Sequence, residues 1–115
     1  MNINQLGEAL ERSWSLKTSS KWTADNPAKG QCGVTSLVVN DLLGGEIYKT
    51  LLPEGWHFYN RIDRIRQDFT ASQFNETIQY GDVLSNRDEA FQDTNLNQYT
   101  ELKRTVLQHM EESNQ

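Results

Sequence analysis

Apolar residues near the start of the chain recur at Ile3, Leu6, Leu10 and Trp14. Those steps of three and four predict an amphipathic helix over residues 2–14. Residues 15–30 lose the period and become rich in Ser, Thr, Asn and Lys, with one Asn-Pro step at Asn26-Pro27, so they read as a loop. A loop of about fifteen residues is long for a compact domain and is commonly functional. Trp22 in its middle is expected to pin it to the body of the domain. Periodicity resumes at Cys32. Val34, Leu37, Val38 and Leu42 line one face of a helix over Cys32–Leu43, which Gly44-Gly45 terminates. Its high apolar content places this second helix centrally in the core.

The period then falls to two. Glu46–Leu52 reads as a weak strand and residues 53–55 as a turn. Within residues 56–69, Trp56, Phe58, Asn60 and Ile62 alternate with His57, Tyr59 and Arg61. A return arm alternates Ile65, Gln67 and Phe69 with Arg66, Asp68 and Thr70. This is the pattern of a β-hairpin. A turn centred on Ile62-Asp63 sets His57 opposite Asp68, Tyr59 opposite Arg66 and Trp56 opposite Phe69. Opposed residues share a face with Cβ atoms roughly 4.5–5.5 Å apart, so this register puts imidazole beside carboxylate. The turn lacks the Asn-Gly or Gly-X chemistry of a tight hairpin, and a slip of one residue would part the pair. Residues 70–95 are polar and irregular, with one short strand expected near 77–80. Leu96, Tyr99, Leu102, Val106 and Met110 fall on one side of a last helix over residues 95–110. The expected architecture is α+β: a small antiparallel sheet packed with a central Cys-bearing helix and terminal helices, in a single domain over residues 1–115.

Composition narrows the function. The 115 residues carry a net charge of −5, with the acidic residues dispersed. No basic face is offered to nucleic acid or to an anionic membrane, and neither is an expected partner. No apolar run approaches the roughly 18 residues of a membrane span. The start, Met1-Asn2-Ile3-Asn4-Gln5, lacks the basic and apolar regions of a secretory signal. A single cysteine forms no internal disulfide and asks for no oxidising compartment. The expected location is the cytoplasm.

That cysteine is the centre of the candidate chemistry. Cys32 stands in Gly30-Gln31-Cys32-Gly33, at the first turn of the second helix. Orphan N–H groups and the positive end of the helix dipole there favour thiolate over thiol. Gly30 and Gly33 allow backbone to approach a substrate closely, and the Cys32 N–H can serve an oxyanion hole. His57 and Asp68 on the hairpin supply a base and its orienting carboxylate, the arrangement of thiol acyl transfer. Asp63 and Asn60 are rival third members. Asn26 and Gln31 are candidate side-chain oxyanion donors, because an amide N–H₂ reaches a developing negative oxygen. Trp14, Trp22 and Trp56 read as core and loop-packing residues, with walls of a groove as the alternative. His109 reads as a solvated last-turn residue. One Cys and two distant His give no zinc spacing, and no phosphate loop or dinucleotide fingerprint is present, so no metal or cofactor is expected.

Residues 22–74 resemble the YunG-like family of small bacterial proteins. The segments that carry the resemblance run from Asn26-Pro27-Ala28-Lys29-Gly30-Gln31-Cys32-Gly33 through Asn40-Asp41. They continue in His57-Phe58-Tyr59-Asn60-Arg61 and Asp68-Phe69-Thr70-Ala71-Ser72-Gln73-Phe74. More distantly, the Gln-Cys-Gly helix start resembles the nucleophile segment of papain-like peptidases, especially those that act on bacteriocin leaders. The His57-x-x-Asn60 and Asp68-x-Thr70 pattern is similar to the His and Asp strands of transglutaminase-like proteins. This wider resemblance implies a papain-like or transglutaminase-like core with Cys32 as nucleophile, His57 as base and acid, and Asp68 as orienting carboxylate. Papain-like enzymes carry an oxyanion-hole Gln several residues before the Cys; Asn26 has roughly that offset, and Gln31 is adjacent.

The expected function is therefore cysteine-dependent acyl transfer, as peptidase, amidase or transglutaminase-like enzyme, on a peptide, amide or ester substrate. The alternative is a non-catalytic module that binds a protein partner on the same fold. A redox sensor built on Cys32 is a minor third reading, since a lone thiol needs an external thiol to resolve its sulfenic acid.

Overall fold

Asn2 opens the first helix, its side chain accepting a hydrogen bond from the Gln5 N–H at 2.7 Å, as an N-cap should. The computed structural model describes residues 2–113, so residues 1, 114 and 115 of the expected domain lie outside the described residues. Helix α1 (Ile3–Ser13) buries Leu6, Ala9 and Leu10. Trp14, just beyond it, is buried and donates its indole N–H to Thr35 Oγ1 at 3.0 Å. Helix α2 (Cys32–Leu43) follows the long irregular segment and is buried throughout its first eight residues. It is central, as its composition foretold, and ends at Gly44 and Gly45 with φ of 75° and 73°. At Gly45 a side chain would also meet the Arg61 carbonyl oxygen at 2.3 Å.

Four antiparallel strands form one sheet in the order β3-β2-β1-β4: β1 (Glu46–Leu52), β2 (Gly55–Ile62), β3 (Ile65–Gln67) and β4 (Val83–Leu84). One face of the sheet packs on α2. Helix α4 (Leu96–Ser113) lies against both α1 and α2. Leu102 and Val106 of α4 join Leu6, Leu10, Val34 and Val38 in the main core, and Leu37, Ile47 and Phe58 form a second cluster between α2 and the sheet. The long segment before α2 is tied down as expected, with Trp22 packed against the main core.

The structure corrects several expectations. The hairpin turn is Asp63-Arg64, not Ile62-Asp63. Both turn residues are left-handed, with φ of 51° and 69°, as a two-residue hairpin turn requires, and neither is the glycine that would have announced it. The register pairs Asn60 with Gln67 and Arg61 with Arg66. It is shifted by two residues from expectation, so Tyr59 does not face Arg66 and Trp56 does not face Phe69. Because side chains alternate with a period of two, a shift of two keeps every side chain on its expected face. His57 and Asp68 therefore remain together, as diagonal rather than direct neighbours. The strand expected at 77–80 is absent; β4 lies a few residues later, followed by α3 (Arg87–Phe91). Both elements are too short to show periodicity. Leu96 is 68% exposed, outside the buried stripe of α4, and Trp56 is exposed rather than core. Among the described residues no helix is long and apolar enough to cross a membrane.

Candidate active site

Helix α2 begins without a side-chain cap of its own: Gln31 at the N-cap position makes no capping bond. The capping group comes from a distant part of the chain. Asp93, between α3 and α4, accepts the Gly33 N–H at 3.1 Å and the Cys32 thiol at 3.4 Å on the same oxygen, Oδ2. The backbone approach is so close that a Cβ on Gly33 would sit 2.6 Å from that oxygen. Gly33 thus admits Asp93, not a substrate. Gly30, with φ of 74°, similarly admits Ser19 and Lys21.

This arrangement reverses the expectation that the helix start favours thiolate. The positive end of α2 is satisfied by a carboxylate. Cys32 is itself buried. Burial pushes the thiol pKa up from its ordinary 9.0 to about 12, and the negative charge of Asp93 adds to the rise, while the Phe58 backbone N–H pulls the other way. Asp93 as a residue is exposed, but its carboxyl group loses solvent against the helix start. That loss raises its pKa, and the Cys32 and Gly33 hydrogen bonds oppose the rise.

The raised thiol has a consequence for stability. Above about pH 9 the unfolded chain loses this proton while the folded chain keeps it until about pH 12. Stability from this group is therefore full below about pH 9 and declines as pH rises toward the folded value. Melting temperatures recorded from about pH 8 to about pH 11 should fall more steeply for the wild type than for Cys32→Ala. Parallel curves would show that the thiol is not held protonated by the fold.

His57, on β2, is 2% exposed. Its Nε2 lies 2.7 Å from Asp68 Oδ2. A carboxylate only accepts, so Nε2 carries the proton. The Tyr80 hydroxyl donates to the same oxygen at 2.8 Å, and the Thr70 N–H and hydroxyl donate to Oδ1 at 3.3 and 3.4 Å. The lone pairs of Asp68 are thus well occupied. The Tyr80 pKa is raised by burial first and by its bond to Asp68 second, so it remains a donor. The Phe74 ring packs edge-on against the imidazole at 5.0 Å. The other ring nitrogen, Nδ1, is buried and has no protein partner. The rival third members are elsewhere: Asn60 faces α2 and donates to the Ser36 carbonyl at 3.0 Å, and Asp63 lies exposed in the turn.

Cys32 and His57 line one open cavity of about 690 Å³, together with Asn26, Trp56, Gln73 and Asp93. That volume suits a small ligand or a short stretch of a larger one. Trp56 walls it, with Lys49 Nζ 4.2 Å from its ring centre. Of the two expected amide donors, Gln31 does not reach the cavity. It is fully buried, with its Oε1 accepting from Thr18 at 2.8 Å and its Nε2 directed to the Ser15 carbonyl. Asn26 does line the cavity, but its Nδ2 donates to the backbone carbonyl of Gln73 at 3.0 Å. Sequence reasoning missed Asp93, Tyr80 and Gln73; Gln73 stood in a segment that carries the family resemblance and Tyr80 in the strand expected at 77–80, but neither was marked for its chemistry. His109 lies on α4 with its Nδ1 3.4 Å from Glu112 and does not line the cavity.

An α+β scaffold thus gathers a helix-start thiol and a carboxylate-bound imidazole around one cleft. The chain belongs to the YunG family: the family model described as "YunG protein" matches residues 2–111. It is 50% identical over 101 residues to the "Uncharacterized protein YunG" of Bacillus subtilis (strain 168), an alignment that covers 88% of each chain. No solved structure matches significantly.

Proposed function

We propose that the cleft performs thiol acyl transfer on an amide or ester, with Cys32 as nucleophile, His57 as base and then acid, and Asp68 as the carboxylate that orients the ring. The observation that carries this reading is the state of His57. One ring nitrogen is fixed by Asp68, and the other, Nδ1, is buried without a protein hydrogen-bond partner on a residue that lines the same cavity as Cys32. The thiol proton passes to Nδ1 as sulfur bonds to the substrate carbonyl carbon. The protonated ring then gives that proton to the leaving nitrogen or oxygen as its bond to carbon breaks. Water or an amine attacks the thioester, loses its proton through the same nitrogen and releases Cys32. The papain-like or transglutaminase-like core belongs to this proposal, supported by the order Cys, His, Asp along the chain and by the α+β architecture.

The test is acylation of Cys32 by p-nitrophenyl acetate, followed by mass spectrometry in the wild type and in Asp93→Asn, where the thiol is released from its carboxylate. His57→Gln keeps a donor to Asp68 but removes the base, and it should cut the acylation rate by about 10²–10⁴-fold. Asp68→Asn should slow it as well. Acylation that proceeds equally without His57 would sink the reading. A second reading, a binding module without catalysis, is favoured by the thiol raised to about 12 and by the occupied Gly33 N–H. It expects Cys32→Ser to leave partner binding intact.

A further inference from the structure

Four buried side-chain polar atoms make no hydrogen bond among the described residues: Trp22 Nε1, His57 Nδ1, Gln73 Nε2 and His109 Nδ1, the last of which lies near the Glu112 carboxylate. Two of the four, on His57 and Gln73, belong to residues lining the cavity of Cys32. They are also of opposite kind. His57 Nδ1 accepts, and the Gln73 amide nitrogen can only donate.

The placement of Gln73 is over-determined. It ends a single 3-10 turn, Ala71–Gln73. Its backbone N–H donates to the Thr70 carbonyl at 3.1 Å, and its own carbonyl accepts Asn26 Nδ2 at 3.0 Å. Its side-chain Oε1 accepts the Gly30 N–H at 3.3 Å. A backbone N–H cannot accept, so this last bond fixes which end of the carboxamide is oxygen. The N–H₂ end is thereby turned away from Gly30 and left unmatched. A buried donor without an acceptor is costly, and natural structures seldom tolerate one without a purpose. The neighbouring Gly33 N–H at the helix start is already bound to Asp93.

We propose that Gln73 Nε2 donates a hydrogen bond to the carbonyl oxygen of an acyl substrate over Cys32 and holds that oxygen as it becomes negative. Asn26 is then a positioning residue, acting through the Gln73 backbone. The assignment rests on the acyl-transfer reading above and names the group that the substrate must present: a planar carbonyl whose oxygen points toward the Ala71–Gln73 turn.

The experiment compares two reagents on the full chain. p-Nitrophenyl acetate transfers an acetyl group through a tetrahedral oxyanion. Methyl methanethiosulfonate modifies the same sulfur with no carbonyl involved. Gln73→Glu keeps the oxygen that faces Gly30 and replaces the donor with an acceptor, and Gln73→Ala removes both. Gln73→Ala should slow acetylation of Cys32 by about 10²–10³-fold while thiolation stays within about twofold of wild type, as a change confined to the oxyanion requires; Gln73→Glu, which also brings a negative charge toward the thiol, should slow both reactions, and acetylation the more. Unchanged acetylation, or equal loss with both reagents, overturns the assignment while leaving His57-dependent acylation standing. A wild-type chain that thiolates but shows no His57-dependent acetylation overturns the acyl-transfer reading, and this assignment with it.

Discussion

Asp93→Asn is expected to raise the rate of Cys32 alkylation by iodoacetamide near neutral pH at least tenfold, the effect of about one pKa unit. Two influences dominate the elevated thiol pKa, burial first and the Asp93 charge second. The substitution removes only the second. Asparagine is isosteric, and its side-chain oxygen still accepts the Gly33 N–H that Asp93 now accepts at 3.1 Å. The helix start therefore keeps its cap. What changes is that a formal negative charge no longer sits beside a sulfur that must itself become negative. The apparent pKa read from the pH dependence of alkylation should move down from about 12, but not all the way to 9.0, because burial remains. Since only the thiolate reacts, the gain should be greatest well below the pKa and vanish at high pH. A rate and pH profile identical to wild type would mean that Asp93 does not hold the thiol. A gain that persists at high pH would mean that the substitution merely opened the cleft. A melting curve unchanged from wild type would show that the cap survives.

The parts of this architecture that were legible in the sequence are those long enough to show a period. Ile3, Leu6 and Leu10 gave α1. Val34, Leu37 and Val38 gave α2 with the bounds later observed, and alternation from His57 to Arg61 gave β2. His57 and Asp68 were paired correctly through an incorrect register, because the error was an even number of residues and the face of a strand side chain depends only on parity. The turn itself was misplaced because Asp63 and Arg64 adopt left-handed backbone without the usual Gly or Asn signature. What the sequence hid was tertiary. Asp93 caps a helix some sixty positions earlier, and no local pattern marks such a cap. Tyr80 completes the carboxylate shell of Asp68 from an irregular segment. Gln31, beside the thiol in sequence, is turned into the core, whereas Gln73, far from it, lines the cleft. Adjacency along the chain was a poor guide at the helix start, since successive residues there point in different directions.

The second large effect concerns stability. His57→Ala and Asp68→Ala should each destabilise the fold by about 3–5 kcal/mol, because each leaves a buried polar partner unmatched. The side chains are 2% and 5% exposed, at 2.7 Å, so solvent reaches neither to compensate. The two losses are unequal in kind. Without His57, Asp68 keeps Tyr80 and Thr70 as donors but loses one of the two donors to its Oδ2. Without Asp68, the imidazole is unpaired at both nitrogens, since Nδ1 already lacks a protein partner, and the Tyr80 hydroxyl loses its acceptor too. Asp68→Ala should therefore cost more than His57→Ala. The double variant should cost less than the sum, with a coupling of about 1–3 kcal/mol in a urea-unfolding cycle. Strict additivity would mean that the pair does not interact in solution. Because His57→Gln retains a donor toward Asp68, it should recover much of the stability lost in His57→Ala while recovering none of the reactivity at Cys32. That separation distinguishes a histidine kept for its proton chemistry from one kept only to fill the space between Asp68 and Phe74.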